Sequence, residues 1–353
     1  MNGKTTLKKF TKKKKLIVFN LLELNSFNSL KIHFKLSKYI NTFIQLKSQG
    51  LPNIFVKKNK KIHISSIFNK MSKVIKNRNL IKLFLKQKII TVLAKFIKFE
   101  KIYYLKLGKK KNFITSLNSK KEIYIDYHSH DFSRMRYLKK KQSKKKQNFK
   151  TKKRNKRFGV FLDTPTPYFR DDYSLMGIEI NYNLQKWYND LNDFLLKAEK
   201  VFNCKIIIIP HPKVKNIKNP FYDKNFKVCN DLDAVHKLIP SAQIVFSINA
   251  STAIGLAVAS QKKVILIYNN QIKEKNYKLF DECRFIAKKS NSKFLNINNF
   301  NLESLKNIKI KKNDKNYIFD YMTSKKISKK QNYEIFSNLV EKIKAKNCLR
   351  GNL

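Results

Sequence analysis

The sequence predicts an α/β protein built on parallel β-sheets, and three observations carry that expectation. Two short stretches, Ile206–Lys213 and Ile244–Ala253, each begin as a continuous apolar run and end abruptly in small or polar residues. A third apolar run, Lys263–Tyr268, comes after them at a distance that leaves room for a short helix. Runs of this kind, rich in β-branched residues, read as strands buried on both faces, the type found inside parallel sheets. Ahead of them, Leu184–Phe202 places Leu184, Trp187, Tyr188, Leu191, Phe194, Leu195, Ala198 and Phe202 on one stripe of an amphipathic helix.

In chain order, Leu16–Asn20 is a candidate first strand, and Leu80–Phe99 carries apolar spacing compatible with a helix and a strand. Glu122–Asp126 alternates as a strand does, and it leads into a polar cluster, Tyr127-His128-Ser129-His130-Asp131. Its His-x-His-Asp group invites a metal reading, but no further ligand set stands out by spacing, so a polar loop and no metal are expected. Leu138–Arg157 is composed almost entirely of Lys, Arg, Gln, Asn and Ser, and a like-charge block of this length predicts a linker or disordered insertion. Beyond it come a strand at Phe158–Asp163 and a loop with Pro165, Pro167 and the pair Asp171-Asp172. After the amphipathic helix, a strand is expected at Lys205–Ile209 and another at Phe226–Cys229. A helix over Asp231–Ile239 is capped by Asn230 or Asp231. Gln243–Ser247 and Lys263–Tyr268 are buried strands flanking a small-residue helix, Ser251–Ser260. A final helix spans Asn332–Lys346 and is placed against the first domain.

Strand, helix, strand in this order implies right-handed parallel crossovers and hence Rossmann-like units. The expected division is a Rossmann-like N-terminal domain over 1–137, the linker over 138–157, a Rossmann-like C-terminal domain over 158–330, and a helix and tail over 331–353.

The 353 residues carry a net charge of +55. Such a charge suits nucleic acid or an anionic membrane surface. However, Lys, Asn, Ile, Phe and Tyr are all abundant, and AT-rich codons account for that set. Arg, the preferred residue for bidentate phosphate and base recognition, is scarce, so no specific nucleic-acid partner is expected. Each Lys near anionic lipid still contributes roughly 1 kcal/mol, which fits peripheral association with an inner membrane. Cys204, Cys229, Cys283 and Cys348 are scattered without metal-ligand spacing and read as free thiols in a reducing cytoplasm. No apolar stretch approaches the ~20 residues of a membrane span.

Chemistry is expected where the strands end. His211 sits between Pro210 and Pro212, which restrict the backbone on either side and fix the imidazole direction. A fixed imidazole can donate to a phosphate or protonate a leaving oxygen; the alternative is a histidine that only caps the sheet. Lys213 could add a point charge or remain solvated. Ser251 and Thr252 open a helix directly after a buried strand, where free N–H groups and the helix dipole suit an anion; an ordinary N-cap prefers the same residues. Asp163, or a carboxylate of Asp171-Asp172, could act as a general base.

Several of these segments together resemble bacterial surface-carbohydrate and capsule biosynthesis proteins: Phe161-Leu162-Asp163 with the later Asp-Asp-Tyr, Tyr188-x-x-Leu191-Asn192-x-Phe194, Ile209–Lys213, and Ser251–Ile254 with the later Lys263–Ile265. Those are similar to the wider GT-B glycosyltransferases, including sialyl-, polysialyl- and glycerophosphate-transferring enzymes with His-Pro and Ser-Thr motifs. The resemblance spans roughly Phe158 to Asn270. It implies two Rossmann-like domains facing across a cleft and metal-independent transfer from a nucleotide-sugar, a CMP-linked one among the candidates, to a surface polysaccharide or lipid-linked glycan. By the same resemblance His211, with Pro212 and Lys213 beside it, and Ser251 and Thr252 hold the donor phosphate, Asn249 occupies another polar position of the group, and no cofactor is needed. A glycerol-phosphate-type phosphotransferase on the same fold and a basic nucleic-acid-binding protein are the rival expectations.

Overall fold

The computed structural model describes residues 17–20, 27–39, 42–45, most of 85–108, 118–146, 157–167, most of 180–301, 305 and 315–348. They form two compact units, one holding the described residues up to His128 together with Thr323 onward, the other Ser129–Met322.

In the first unit, β1 (Ile17–Asn20), α1 (Phe27–Tyr39), β2 (Thr42–Gln45), β3 (Lys98–Leu107) and β4 (Asn118–Tyr127) succeed one another. The four strands pair in sequence order, all parallel, with Ile17 opposite Thr42, Thr42 opposite Lys101 and Ile102 opposite Glu122. Successive side chains on a strand leave opposite faces, and β3 is covered on both. Ile102 and Tyr104 pack with Ile97, Phe99 and Leu30, while Tyr103 and Leu105 pack with Leu339 and Ile343 of the C-terminal helix Asn332–Cys348. The expected return of that helix to the first domain is what the structure shows.

His128, fully buried at the end of β4, ties this return down. Its Nδ1 lies 2.7 Å from Thr323 Oγ1 and its Nε2 2.8 Å from the Lys330 carbonyl, while its backbone exchanges hydrogen bonds with the Asn332 side chain.

The second unit opens with α2 (His130–Lys146), which enters the block expected to be a linker; residues 147–156 lie outside the described set. Phe132 and Met135, three apart on one face, join the unit's core. That anchor, with the good helix propensity of Lys, outweighs like-charge repulsion over the first turns of the block. The boundary accordingly falls at His128/Ser129 rather than at 137–158, and the unit ends at Met322 rather than 330.

Then come β5 (Phe158–Leu162), α3 (Leu184–Phe202), β6 (Lys205–Ile209), β7 (Lys227–Val228), α4 (Ala234–Leu238), β8 (Ile244–Ser247), α5 (Thr252–Ala259), β9 (Lys263–Tyr268), α6 (Asn270–Lys275), α7 (Tyr277–Ser290), β10 (Lys293–Asn296) and α8 (Lys315–Tyr321). The six strands form one parallel sheet in the order β7-β6-β5-β8-β9-β10. Counted within the unit this is 3-2-1-4-5-6, the doubly wound order in which the chain reverses direction across the sheet after its third strand.

The core holds the expected apolar runs. Val160–Leu162, Ile206, Ile208, Ile244–Phe246 and Val264–Ile267 are all buried, and α3 lays Trp187, Tyr188, Leu191, Phe194, Leu195 and Ala198 against them. Asn183 caps α3 by accepting from Lys186 N, and Asn203 ends it in the left-handed region at φ 45°. Glu199, near that end, accepts from Ile206 N at 2.7 Å, so one carboxylate joins the helix to the strand after it. The helix expected from Asp231 begins later, at Ala234, because the Asp231 side chain is engaged in a local turn, accepting from Asp233 N at 2.8 Å. Small residues let α5 sit close to its neighbours: a Cβ on Gly255 would lie 2.9 Å from Met322 Sδ. Among the described residues no helix is long and apolar enough to cross a membrane.

Candidate functional site

Strands β6, β5 and β8 lie side by side and parallel, so their carboxyl ends open on one edge of the sheet. Each of the three leads into polar residues: His211 after β6, Asp163 after β5, and Asn249, Ser251 and Thr252 after β8. Leu162 at the end of β5 is in register with Ile209 on one side and Ser247 on the other. The Asp163 N–H extends the ladder by donating to the Ile209 carbonyl at 3.0 Å. The ends of β6 and β8 are two strand spacings apart, about 10 Å. In a doubly wound sheet the ligand crevice opens where strand order reverses, here between β5 and β8.

Asp163 is buried, and Tyr222 donates its hydroxyl to Oδ2. Oδ1 is also buried and has no hydrogen-bond partner among the described residues. Burial pushes the carboxyl up to about 7, against the hydrogen bonds from Tyr222 and the Thr164 backbone, which lower it. The Tyr222 hydroxyl is driven well above its ordinary range, first by burial and then by the Asp163 charge beside it. Tyr222 is held by aromatic packing, its ring edge-on to Tyr188 at 5.6 Å, with Phe221 stacked on Tyr188 at 5.3 Å. It lies 59 residues from Asp163, and no spacing in the sequence connects the two.

His211 is half-buried, and its carbonyl accepts from Val214 N at 2.8 Å, closing a turn over the exposed Pro212. Lys213 and Asp171-Asp172 lie outside the described residues. Ser247 and Asn249 form a tight local turn, the Ser247 hydroxyl donating to the Asn249 carbonyl at 3.0 Å. Ser251 is the N-cap of α5, its Oγ accepting from Ala253 N at 3.2 Å, so the capping role is realised, and among the described residues its hydroxyl proton has no acceptor. The exposed Thr252 starts the helix.

Thr252 also has a partner that motif reading missed. It stands near Asp131, in the first turn of α2, and helps keep that carboxyl charged, while Asp131 lies 3.1 Å from His236 Nε2 on α4. Burial alone would raise the Asp131 carboxyl, but the hydrogen bond with His236 and the nearby Thr252 side chain, with the His236 and His130 imidazoles, hold it below the ordinary range. Arg134, one turn further along α2, pairs with Asp233 at 3.2 Å. The sequence showed the Asp131 half of this cluster as a loop; it is a helix start, and its partner stands 105 residues away.

No protein family matches the chain, and no curated protein matches it. Solved structures similar to it include the spinosyn forosaminyltransferase SpnP, at 9% identity and TM-score 0.37, over 92% of this chain and 84% of that one. A variant of the wall teichoic acid polymerase TagF is similar at 11% identity and TM-score 0.39, over 96% and 86%. The calicheamicin glycosyltransferase CalG4 is similar at 7% identity and TM-score 0.37, over 88% and 69%. Superpositions this loose carry no argument about the chemistry of the present chain, which rests on its own residues.

Proposed function

We propose that the chain is a GT-B-type glycosyltransferase that moves a sugar from a nucleotide-sugar donor, CMP-linked in the simplest case, to a surface polysaccharide or lipid-linked glycan. The observation that supports this reading is the single sheet edge shared by His211, Asp163 and the Ser251–Thr252 helix start, at the reversal point of a doubly wound sheet. The motif resemblance over Phe158–Asn270 supplies the substrate class.

On this reading the donor phosphate lies over the start of α5, where the positive end of the helix dipole favours an anion. The Ser251 hydroxyl donates to it, with Asn249 beside it. His211 donates to the phosphate from the β6 side and stabilises the charge that develops as the nucleotide departs. Lys213, two residues further on, adds a cation to the same group. Asp163, held near 7 by burial, sits in the range where a carboxyl can take up and return a proton at neutral pH, and it serves the acceptor hydroxyl. The protein works at the cytoplasmic face of the membrane, its surface lysines drawn to anionic lipid.

The test is a donor screen and then one substitution. A cognate donor at 100 times its dissociation constant adds about 2.7 kcal/mol of stability, visible as a thermal shift. His211→Ala should then lower donor turnover by about 100-fold or more, the cost of removing one preorganised donor to a developing charge. Near-normal turnover by that variant removes His211 from the mechanism. Stabilisation by CDP-linked polyol phosphates but by no sugar nucleotide would replace glycosyl transfer with phosphotransfer.

A further inference from the structure

We propose that His130, Asp131 and His236 form a binding site for a divalent transition metal of the zinc type, clamping the start of α2 to α4 beside the first residue of α5. One ligand atom from each residue can be chosen so that all three lie within 4.8 Å of one another. His236 Nε2 is 3.1 Å and His130 Nδ1 3.7 Å from the same carboxylate oxygen, Asp131 Oδ1. A tetrahedral zinc bound at about 2.0–2.2 Å requires its ligand atoms to be about 3.3 Å apart, and the two observed distances bracket that value. Two imidazoles and a carboxylate are a donor set that suits zinc and its neighbours and disfavours calcium or magnesium.

Burial also fits. The His236 and Asp131 side chains are 10% and 17% exposed, so two ligands are preorganised by the fold, whereas His130 is 85% exposed and closes the site from solvent. The rings of His130 and His236 stand edge to face, 6.0 Å apart, without stacking across the space between them. Three protein ligands leave a fourth position for water, the pattern of an open zinc site.

The site is distinct from the His211 rim, and its existence does not depend on the transferase reading. It would bear on that reading in one way. Asp131 places negative charge against Thr252, where an anion is expected to bind, and a divalent ion on Asp131 reverses the sign of that local field.

The experiment uses the full-length protein, stripped with a chelator and titrated with Co2+ and then Zn2+. Expected are one equivalent bound, the visible absorption of tetrahedral Co2+, its loss on adding Zn2+, and a rise in melting temperature. His130→Ala removes an exposed side chain and leaves the fold intact; it should weaken Zn2+ binding by about 100-fold or more, at least what the loss of an outer-shell partner costs. His236→Gln should abolish the Co2+ absorption, with circular dichroism reporting whether the variant folds. His211→Ala should leave metal stoichiometry unchanged whatever it does to turnover, so the two readings fail separately. The absence of a saturable first equivalent, or affinity unchanged in folded His130→Ala, overturns the proposal and leaves the trio as a hydrogen-bonded helix start.

Discussion

Replacing Asp163 with Asn should leave stability almost unchanged in acid and raise it substantially at alkaline pH. In the folded protein burial holds this carboxyl near 7 against an ordinary 3.8. A raised pKa means that the folded state binds the proton more tightly than the unfolded chain does. The stabilisation this provides is complete below the unfolded value and is lost as pH rises through the folded one. The difference of about 3 in pKa corresponds to roughly 4 kcal/mol at 1.36 kcal/mol each, the cost of holding a carboxylate at a buried position where Oδ1 has no partner among the described residues. Asparagine keeps an acceptor for the Tyr222 hydroxyl and carries no charge, so its stability lacks this contribution. Trp187, the only tryptophan and fully buried in the second unit, reports unfolding of the relevant core by fluorescence. Urea denaturation at about pH 4 and about pH 8 should show the variant gaining roughly 3–4 kcal/mol on the wild type between the two conditions. The many other titrating groups are common to both proteins and cancel in the comparison. If the two pH profiles run parallel to within about 1 kcal/mol, the carboxyl is not held protonated by its burial and the reasoning fails. The same variant tests chemistry: if Asp163 serves the acceptor, the protein that is more stable at pH 8 should also be the less active one.

The remaining predictions concern how the sheet is assembled. Glu199→Ala removes the acceptor of the buried Ile206 N–H and should cost about 1–3 kcal/mol in chemical denaturation. Glu199→Gln retains an acceptor and loses only the bond to Lys205, whose side chain is 79% exposed, so its cost should be about 0–1 kcal/mol; equal losses in both variants would remove the backbone acceptor as the cause. Gly159→Ala places a Cβ 3.1 Å from Ile244 Cγ2 and 3.4 Å from Cys204 Sγ. Overpacking of this kind costs about 1–3 kcal/mol, and a melting temperature at or above wild type would show that the central strands have room to give.

Much of the second unit is legible from local pattern. β5, β6, β8 and β9 are continuous apolar runs because both faces of a central parallel strand are covered, and α3 shows its stripe because one face only is buried. Ser251 and Ser260 read as the two ends of α5, and they flank it in the structure. The first unit is less legible. Its strands β1 and β2 are four residues each, too short to establish a period, and β3 shows no simple alternation because both its faces are covered. The Lys-rich block misleads for a different reason. Charge density there predicts disorder, yet two apolar residues ahead of it, Phe132 and Met135, dock α2 onto a core whose other members lie far away in sequence.

The chain's own pattern therefore determined the class of the fold, the central strands and their order of appearance, and the polar residues that end each strand. These are properties of windows shorter than about 20 residues, set by burial and by hydrogen bonding within a segment. Only the tertiary structure decided which residues those polar groups meet. It brought Tyr222 to Asp163, His236 to Asp131, and Asp131 to Thr252. It also made His128, read from the sequence as part of a polar loop, the buried tie that holds the C-terminal segment on the first unit. The physical reason is that hydrogen bonds and charge act over a few ångströms in space with no regard to separation along the chain. Strand order, which sets those neighbours, emerges only when the sheet closes around its core.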